Sequence, residues 1–292
     1  MNMKKLLSLL VVAILSLSLL SACTPADDVE DNGADSSGND QTINLVSRED
    51  GSGTRGAFVE IVGVEEDGED ATSLEAVIQN STNGVLTTVA GDEYSIGYAS
   101  IGSLNDTVKA IKVDGVEASA DNVQTGDFPI QRPFNVAWQE GISDLAQDFL
   151  DFMISEEGQE AVEEAGFIQV ENNGPYEGSD MEGDIVVGGS TSVTPAMELL
   201  AEAYEELHEN VTVEVHSTGS GAGMTGALDG TLDIGMASRE LKDEEAAELE
   251  SLVMAIDGIA IITHLDNPIE DISLDQVKQV FLGEITSWGE LE

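Results

Sequence analysis

The chain has 292 residues, with 58 Asp and Glu against 10 Lys and Arg and a formal net charge of −48. So acidic a surface argues against nucleic acid as a partner and leaves no long-range attraction with which to gather anions. The one cysteine, Cys23, excludes a disulfide framework, a cysteine metal site and a cysteine nucleophile in the folded part.

Residues 1–22 place Lys4-Lys5 before an apolar run from Leu6 to Leu20, the layout of a secretory signal peptide. The tetrapeptide Leu20-Ser21-Ala22-Cys23 resembles the lipobox of bacterial lipoproteins. That resemblance implies lipidation of Cys23 and an exported protein lipid-anchored to the outer face of the cell membrane. Residues 23–41 are acidic and rich in Gly, Ser and Asn, with almost no large apolar group, so they predict a flexible tether. No later apolar run is long enough to cross a bilayer.

From Ile43 to Ser47 the pattern predicts a strand, followed by the loop Ser47-Arg48-Glu49-Asp50-Gly51-Ser52-Gly53-Thr54-Arg55 and a helix from Thr54 to Val62. Strands are predicted at Tyr94–Ala99, Val108–Val113 and Phe134–Trp138. Leu145, Phe149, Phe152 and Met153 fall at near-helical spacing within Ser143–Ile154. A polar linker, residues 171–183, separates this block from a second one. There, a strand at Ile185–Gly188 leads into Gly188-Gly189-Ser190-Thr191-Ser192-Val193-Thr194-Pro195, with Thr194 read as a helix cap and Pro195 as the first helical position. Val211, Val213 and Val215 alternate as a strand before the glycine-rich helix start at Thr218–Gly223. Leu232–Ala237 and Ile256–Thr263 read as strands and Leu274–Leu282 as a helix. Alternating strands and helices predict an α/β protein with largely parallel sheets, and roughly 250 ordered residues suit two lobes better than one.

Glycines and small hydroxylated residues at a helix start expose backbone N–H groups and a positive dipole end, which suits a small oxyanion held without metal. Three such loops occur here, and three of the four arginines, Arg48, Arg55, Arg132 and Arg239, lie in or beside loops of this kind. Catalysis finds little support. No nucleophile elbow surrounds Ser52, Ser190 or Ser220. His208, His216 and His264 are scattered without metal spacing; His208 reads as solvated in an acidic helix and His216 as a group behind the Ser220 loop. Neither metal nor cofactor is expected.

With those motifs in place, the chain resembles the solute-binding protein of a phosphate ABC transporter, a type II periplasmic-binding-protein fold. GGSTSVTP at 188–195, DIGMASRELK at 233–242 and SREDGSGTRGAF at 47–58 carry the resemblance, supported by YSIGYAS at 94–100, QRPF at 131–134, DGIAII at 257–262 and QVKQVFLGEITSWGEL at 276–291. Their order is permuted: the half that usually comes last stands first, and residues 171–183 join the old ends. A truncated tandem protein and a fragment of two gene copies are rival accounts, and the single occurrence of each part favours one permuted domain pair.

The resemblance implies a two-lobed fold with crossovers near Gln131–Trp138 and Gly258–His264. One lobe would comprise residues 42–132 plus 263–292 and the other 133–262. Inorganic phosphate would be held by Arg48, Asp50, Ser52, Gly53 and Thr54 from the first lobe and by Ser190, Thr191, Ser192, Ser220, Ser238 and Arg239 from the second. ABC permease subunits would be the partner and the protein a monomer. Some family members carry an aspartate where this chain has Arg239, which puts phosphate-over-sulfate selection in doubt; Asp50 or Glu240 are the substitutes at hand. Alternatives are a sulfate-like oxyanion as ligand, a surface sensor, or a phosphatase.

Overall fold

A computed structural model describes residues 41–178 and 180–291; the signal segment, Cys23 and the tether up to Asp40 lie outside them. Lobe 1 opens with strand β1 (Asn44–Arg48), helix α1 (Gly53–Val62), a small ribbon β2 (Glu65–Glu66) and β3 (Glu69–Asp70), strand β4 (Val77–Gln79) and helix α2 (Thr82–Ala90). Strands β5 (Ser95–Ser100) and β6 (Val108–Val113) and helix α3 (Ala120–Gln124) follow. Strand β7 (Gln131–Trp138) carries the chain into lobe 2. There helices α4 (Asp144–Met153) and α5 (Glu156–Glu164) precede β8 (Gly183–Gly189), α6 (Thr194–Leu207), β9 (Val211–Ser217), α7 (Ser220–Asp229), β10 (Ile234–Ala237) and α8 (Asp243–Ala246). The long strand β11 (Glu250–His264) returns to lobe 1, which β12 (Asp271–Ile272) and α9 (Leu274–Leu282) complete.

Main-chain pairing runs β4-β1-β5-β11-β7-β10-β8-β9, with β6 attached at β11 and β12 at β6. The outer strands of each lobe pair in parallel: β1 lies between β4 and β5, and β8 between β9 and β10. The expectation of largely parallel sheets needs amending at the centre. β7 and β11 run antiparallel to each other and to β10 and β5, because one carries the chain out of lobe 1 and the other carries it back. The loops after β1, β8, β9 and β10 all leave the carboxyl ends of parallel strands, where open α/β sheets place their ligands.

Each lobe has its own core. One gathers Phe134, Phe149, Phe152, Met197, Leu200, Tyr204, Met236 and Met254. The other gathers Phe58, Tyr98, Ile111, Phe128, Ile259, Phe281 and Trp288, drawing on both ends of the described chain. Phe58 stacks on Tyr98 at 4.1 Å and meets Phe281 edge-on at 4.7 Å; truncating such a buried ring to alanine costs about 3–5 kcal/mol. Residues 41–43 lie directly against 286–288: Ile43 N donates to Thr286 O at 2.8 Å and Trp288 N to Gln41 O at 2.9 Å.

Four helices, α2, α3, α5 and α8, escaped the sequence patterns, and the two longer ones show why. α5 (EEGQEAVEE) is mostly acidic, and its Gly158 is required because a Cβ there would meet Phe152 O at 2.0 Å. α2 (TNGVLTTVA) is β-branched and contains glycine, both weak helix signals. Thr194 is not the cap expected of it. It is the first helical residue, and its Oγ1 donates back to Ser190 O at 3.1 Å instead of accepting from the helix. The polar linker is docked: the Tyr176 ring packs edge-on against Phe152 at 5.2 Å. Its hydroxyl binds the Asp148 carboxylate and lies 2.9 Å from His208 Nε2. His208 is therefore buried, contrary to its reading as a solvated residue.

Candidate anion site

Arg48 closes β1 and is 2% exposed. The strand holds it in place through Tyr98, whose hydroxyl shares a 2.8 Å hydrogen bond with Ser47 Oγ and accepts from Arg48 N at 3.2 Å. Burial raises the Tyr98 phenol above its ordinary range, so it stays a neutral donor and acceptor. Beyond Arg48 the chain turns through Gly51, at φ 85°, a conformation that glycine adopts without strain. Ser52 then caps α1, its Oγ accepting from Arg55 N at 3.3 Å. Arg55 braces the loop from outside: Nη1 donates to Arg48 O at 2.8 Å and Nε to Asp70 at 2.6 Å.

The guanidinium of Arg48 spans the two lobes. Nε and Nη2 donate to both Glu49 oxygens at 2.8 and 2.9 Å, Nη1 to Thr82 Oγ1 at 3.3 Å, and Nη2 to Thr191 Oγ1 across the cleft at 3.1 Å. Thr82 opens α2 and extends the bridge, sharing hydrogen bonds with Thr191 Oγ1 at 3.1 Å and Ser192 Oγ at 3.0 Å. Thr54 shares another with Ser192 Oγ at 2.9 Å.

Lobe 2 supplies the facing wall. Gly189 ends β8 at φ 142°, and a Cβ there would strike Met236 O at 2.2 Å. That close approach sets Ser190 against the end of β10, where its Oγ donates to Ser238 Oγ at 2.9 Å. Ser238 N in turn donates to Ser220 Oγ, at 3.2 Å, on the first residue of α7. A backbone bond from Gly221 N to Gly51 O at 3.0 Å joins the loops of the two lobes. The starts of α1, α2 and α7 thus converge on one cluster of buried hydroxyls and a single arginine. The positive ends of three helix dipoles and a planar fork of donors suit a tetrahedral oxyanion.

Of the residues singled out from sequence, Arg48, Ser52, Gly53, Thr54, Ser190, Thr191, Ser192, Ser220 and Ser238 come together here. Asp50 and Arg239 do not join them. Asp50 is exposed and, with Arg239, lines an open groove of about 790 Å³ at the mouth of the cleft. Arg239 is committed to Glu245 by hydrogen bonds of 2.7 and 2.8 Å and to Glu240 O at 2.7 Å. Burial works to raise the Glu245 carboxyl, but hydrogen bonds from Arg239 and the Lys242 backbone outweigh it and hold the group below the ordinary range. Glu240 is exposed, and His216 lies on the surface beside Glu214.

Sequence reasoning missed Glu49 and Thr82. Ser81-Thr82 ahead of Val85, Leu86 and Val89 is a helix-start signature that was there to be used. Among the described residues no group of three or more His, Cys, Asp or Glu is placed to hold a metal ion, and no helix is long and apolar enough to cross a membrane.

Comparison with known proteins bears on this geometry. A family model described as a PBP superfamily domain matches residues 27–157 and 174–291. Phosphate-binding protein PstS 2 of Streptococcus agalactiae serotype V is 43% identical over 299 residues, covering 100% of this chain and 99% of that relative. Phosphate-binding protein PstS of Bacillus subtilis is 37% identical over 135 residues, 46% of this chain and 43% of its own. Among solved structures, a phosphate-binding protein of a phosphate ABC transporter from Streptococcus pneumoniae superposes with a TM-score of 0.70. It is 46% identical and matches 86% of this chain and 100% of its own.

Proposed function

Because the chain belongs to the PBP superfamily, we propose that it binds inorganic phosphate outside the cytoplasm and delivers it to an ABC permease, as a binding protein and not an enzyme. The observation that carries this reading is the meeting of Arg48 with buried hydroxyls of both lobes at three helix starts. Arg48, Ser52, Gly53, Thr54, Ser190, Thr191, Ser192, Ser220 and Ser238 form the ligand set, and Thr82 belongs with them. Hydroxyls that bond one another between lobes exchange those partners for oxyanion oxygens, which are stronger acceptors because they are charged. The anion thereby favours the closed arrangement through contacts that only closure provides. Asp50 and Arg239 act at the mouth of the cleft.

The same reading assigns residues 42–132 plus 263–292 to one lobe and 133–262 to the other, in permuted order, in a monomer. Support comes from the contact between residues 41–43 and 286–288, where an unpermuted chain would run straight through. The Bacillus relative, aligned over only 46% of this chain, fits a case in which one half at a time can be matched in order. The lipobox-like tetrapeptide supports anchoring at Cys23.

Isothermal titration of residues 24–292 with phosphate, sulfate and arsenate tests the proposal. One-to-one phosphate binding, weakened about 10- to 100-fold in Arg48→Ala, is expected, since hydrogen bonds to charged groups contribute about 1.5–3 kcal/mol. Binding of none of the three by the folded protein would sink it, and preference for sulfate would reassign the ligand.

A further inference from the structure

Arg132 and Asp257 face each other across the two crossover strands, β7 and β11, in direct register. Both side chains are 1% exposed. They sit where the cores change over: Ile130 and Ile259 belong to the lobe 1 core, Phe134 and Ala255 to that of lobe 2. Arg132 Nε and Nη2 donate to Asp257 Oδ2 at 3.2 and 3.0 Å, and its guanidinium lies 5.4 Å from the centre of the Phe134 ring. The third nitrogen, Nη1, donates to Ser238 O at 2.9 Å. On the other side, Asp257 Oδ1 accepts from Ser100 Oγ at 2.8 Å, at the end of β5 in lobe 1.

A buried ion pair is weak evidence of stability, since apolar residues of similar size often replace one without loss. What this pair provides is geometry. Each polar group of Ser238 is engaged: N–H with Ser220 Oγ, Oγ with Ser190 Oγ, and the carbonyl with Arg132. Arg132 is thus the rear support of the residue that aligns Ser190 and Ser220 in the anion site.

We propose that Arg132 and Asp257 are a positioning pair at the hinge, which holds Ser238 from behind and ties it to lobe 1 through Ser100, so that hydroxyl alignment and lobe arrangement are set together. Neither residue touches the anion. The inference rests on the phosphate-site reading above, and its test is built to separate the two.

Three variants of residues 24–292 are compared with the wild type: Arg132→Lys, Ser100→Ala, and the apolar double variant Arg132→Met with Asp257→Leu. Phosphate affinity by titration, thermal midpoint, and amide exchange across residues 236–239 in ligand-free protein are measured for each. The double variant is expected to keep or raise the thermal midpoint while phosphate binds at least about tenfold more weakly and exchange at 236–239 quickens. Arg132→Lys, which keeps the charge but cannot serve both Asp257 and Ser238, is expected to fall between the two. Ser100→Ala is expected to weaken binding with exchange at 236–239 unchanged, because Arg132 still holds Ser238. Wild-type affinity in either folded Arg132 variant, or exchange at 236–239 left unchanged in both, overturns the proposal. Should the wild type bind no phosphate, the site reading fails, yet exchange at 236–239 still decides whether Arg132 positions Ser238.

Discussion

At Gly53 the two lobes approach so closely that a methyl group would sit 2.2 Å from Ser220 Oγ and 2.8 Å from Ser238 Oγ. The backbone there is ordinary helix, so the requirement is space and not φ. Gly53→Ala is expected to leave thermal stability nearly unchanged and to weaken phosphate binding at least about tenfold, since the methyl must be expelled before the lobes meet; titration and melting curves read the two separately. Charge at the mouth makes a second prediction. Glu245 and Asp70 are held below the ordinary carboxylate range: burial opposes this in both, and hydrogen bonds chiefly from Arg239 and Arg55 prevail. Depressed groups stabilise the fold above the unfolded-state pKa of about 4 and lose that contribution as pH falls through their folded values. Acid unfolding is expected to begin below about pH 4, with a shallower dependence in Glu245→Gln; circular dichroism against pH reads it. The hydroxyl and arginine members of the site were legible because their loops are glycine-rich and short. Asp50 and Arg239 lie apart from the hydroxyl cluster, which sequence did not foretell, because it gives a side chain's position along a loop but not its direction. Arg239 turns to Glu245, six positions on, and away from the cleft.

Elements with a clean apolar period were read closely from sequence: β6 at Val108–Val113 and α9 at Leu274–Leu282 have the bounds their patterns predict. β11 proved longer than Ile256–Thr263: it begins at Glu250, and its first four residues are exposed or half-buried. α2 stayed hidden by its composition, and with it went Thr82. The docked linker shows how a stretch without period can still be ordered: one aromatic ring fills a niche beside Phe152, Tyr204 and His208. Burial and the Asp148 carboxylate together raise the Tyr176 phenol, which keeps it a hydrogen-bond donor at any moderate pH. Tyr176→Ala is expected to speed proteolysis between residues 171 and 183 several-fold while phosphate affinity stays at the wild-type value, because the ring lies in the lobe 2 core region and not at the cleft. Limited digestion followed by titration checks both halves.

Across the whole molecule a net charge of −48 faces an anionic ligand. Screening shortens the reach of that repulsion to about 8 Å at physiological ionic strength, while the local hydrogen bonds inside the cleft are little affected. Phosphate association is therefore expected to speed up as salt rises, the reverse of steered binding, and stopped-flow measurement across ionic strengths reads the slope. The split of the lobe 1 core between Ile43–Ile130 and Ile259–Leu291, with Ile168 alone between them, has a temporal side. A chain made and exported from its amino end presents β1, its arginine and α1 first, yet Val277, Phe281 and Trp288, which cover them, come last. Lobe 2, whose core spans Phe134 to Ala255 without a break, is complete before that. The half of the site that carries Arg48 thus waits, with its apolar faces uncovered, on a finished neighbour. In this order of assembly residues 263–292 decide when the Arg48 side of the candidate site is covered.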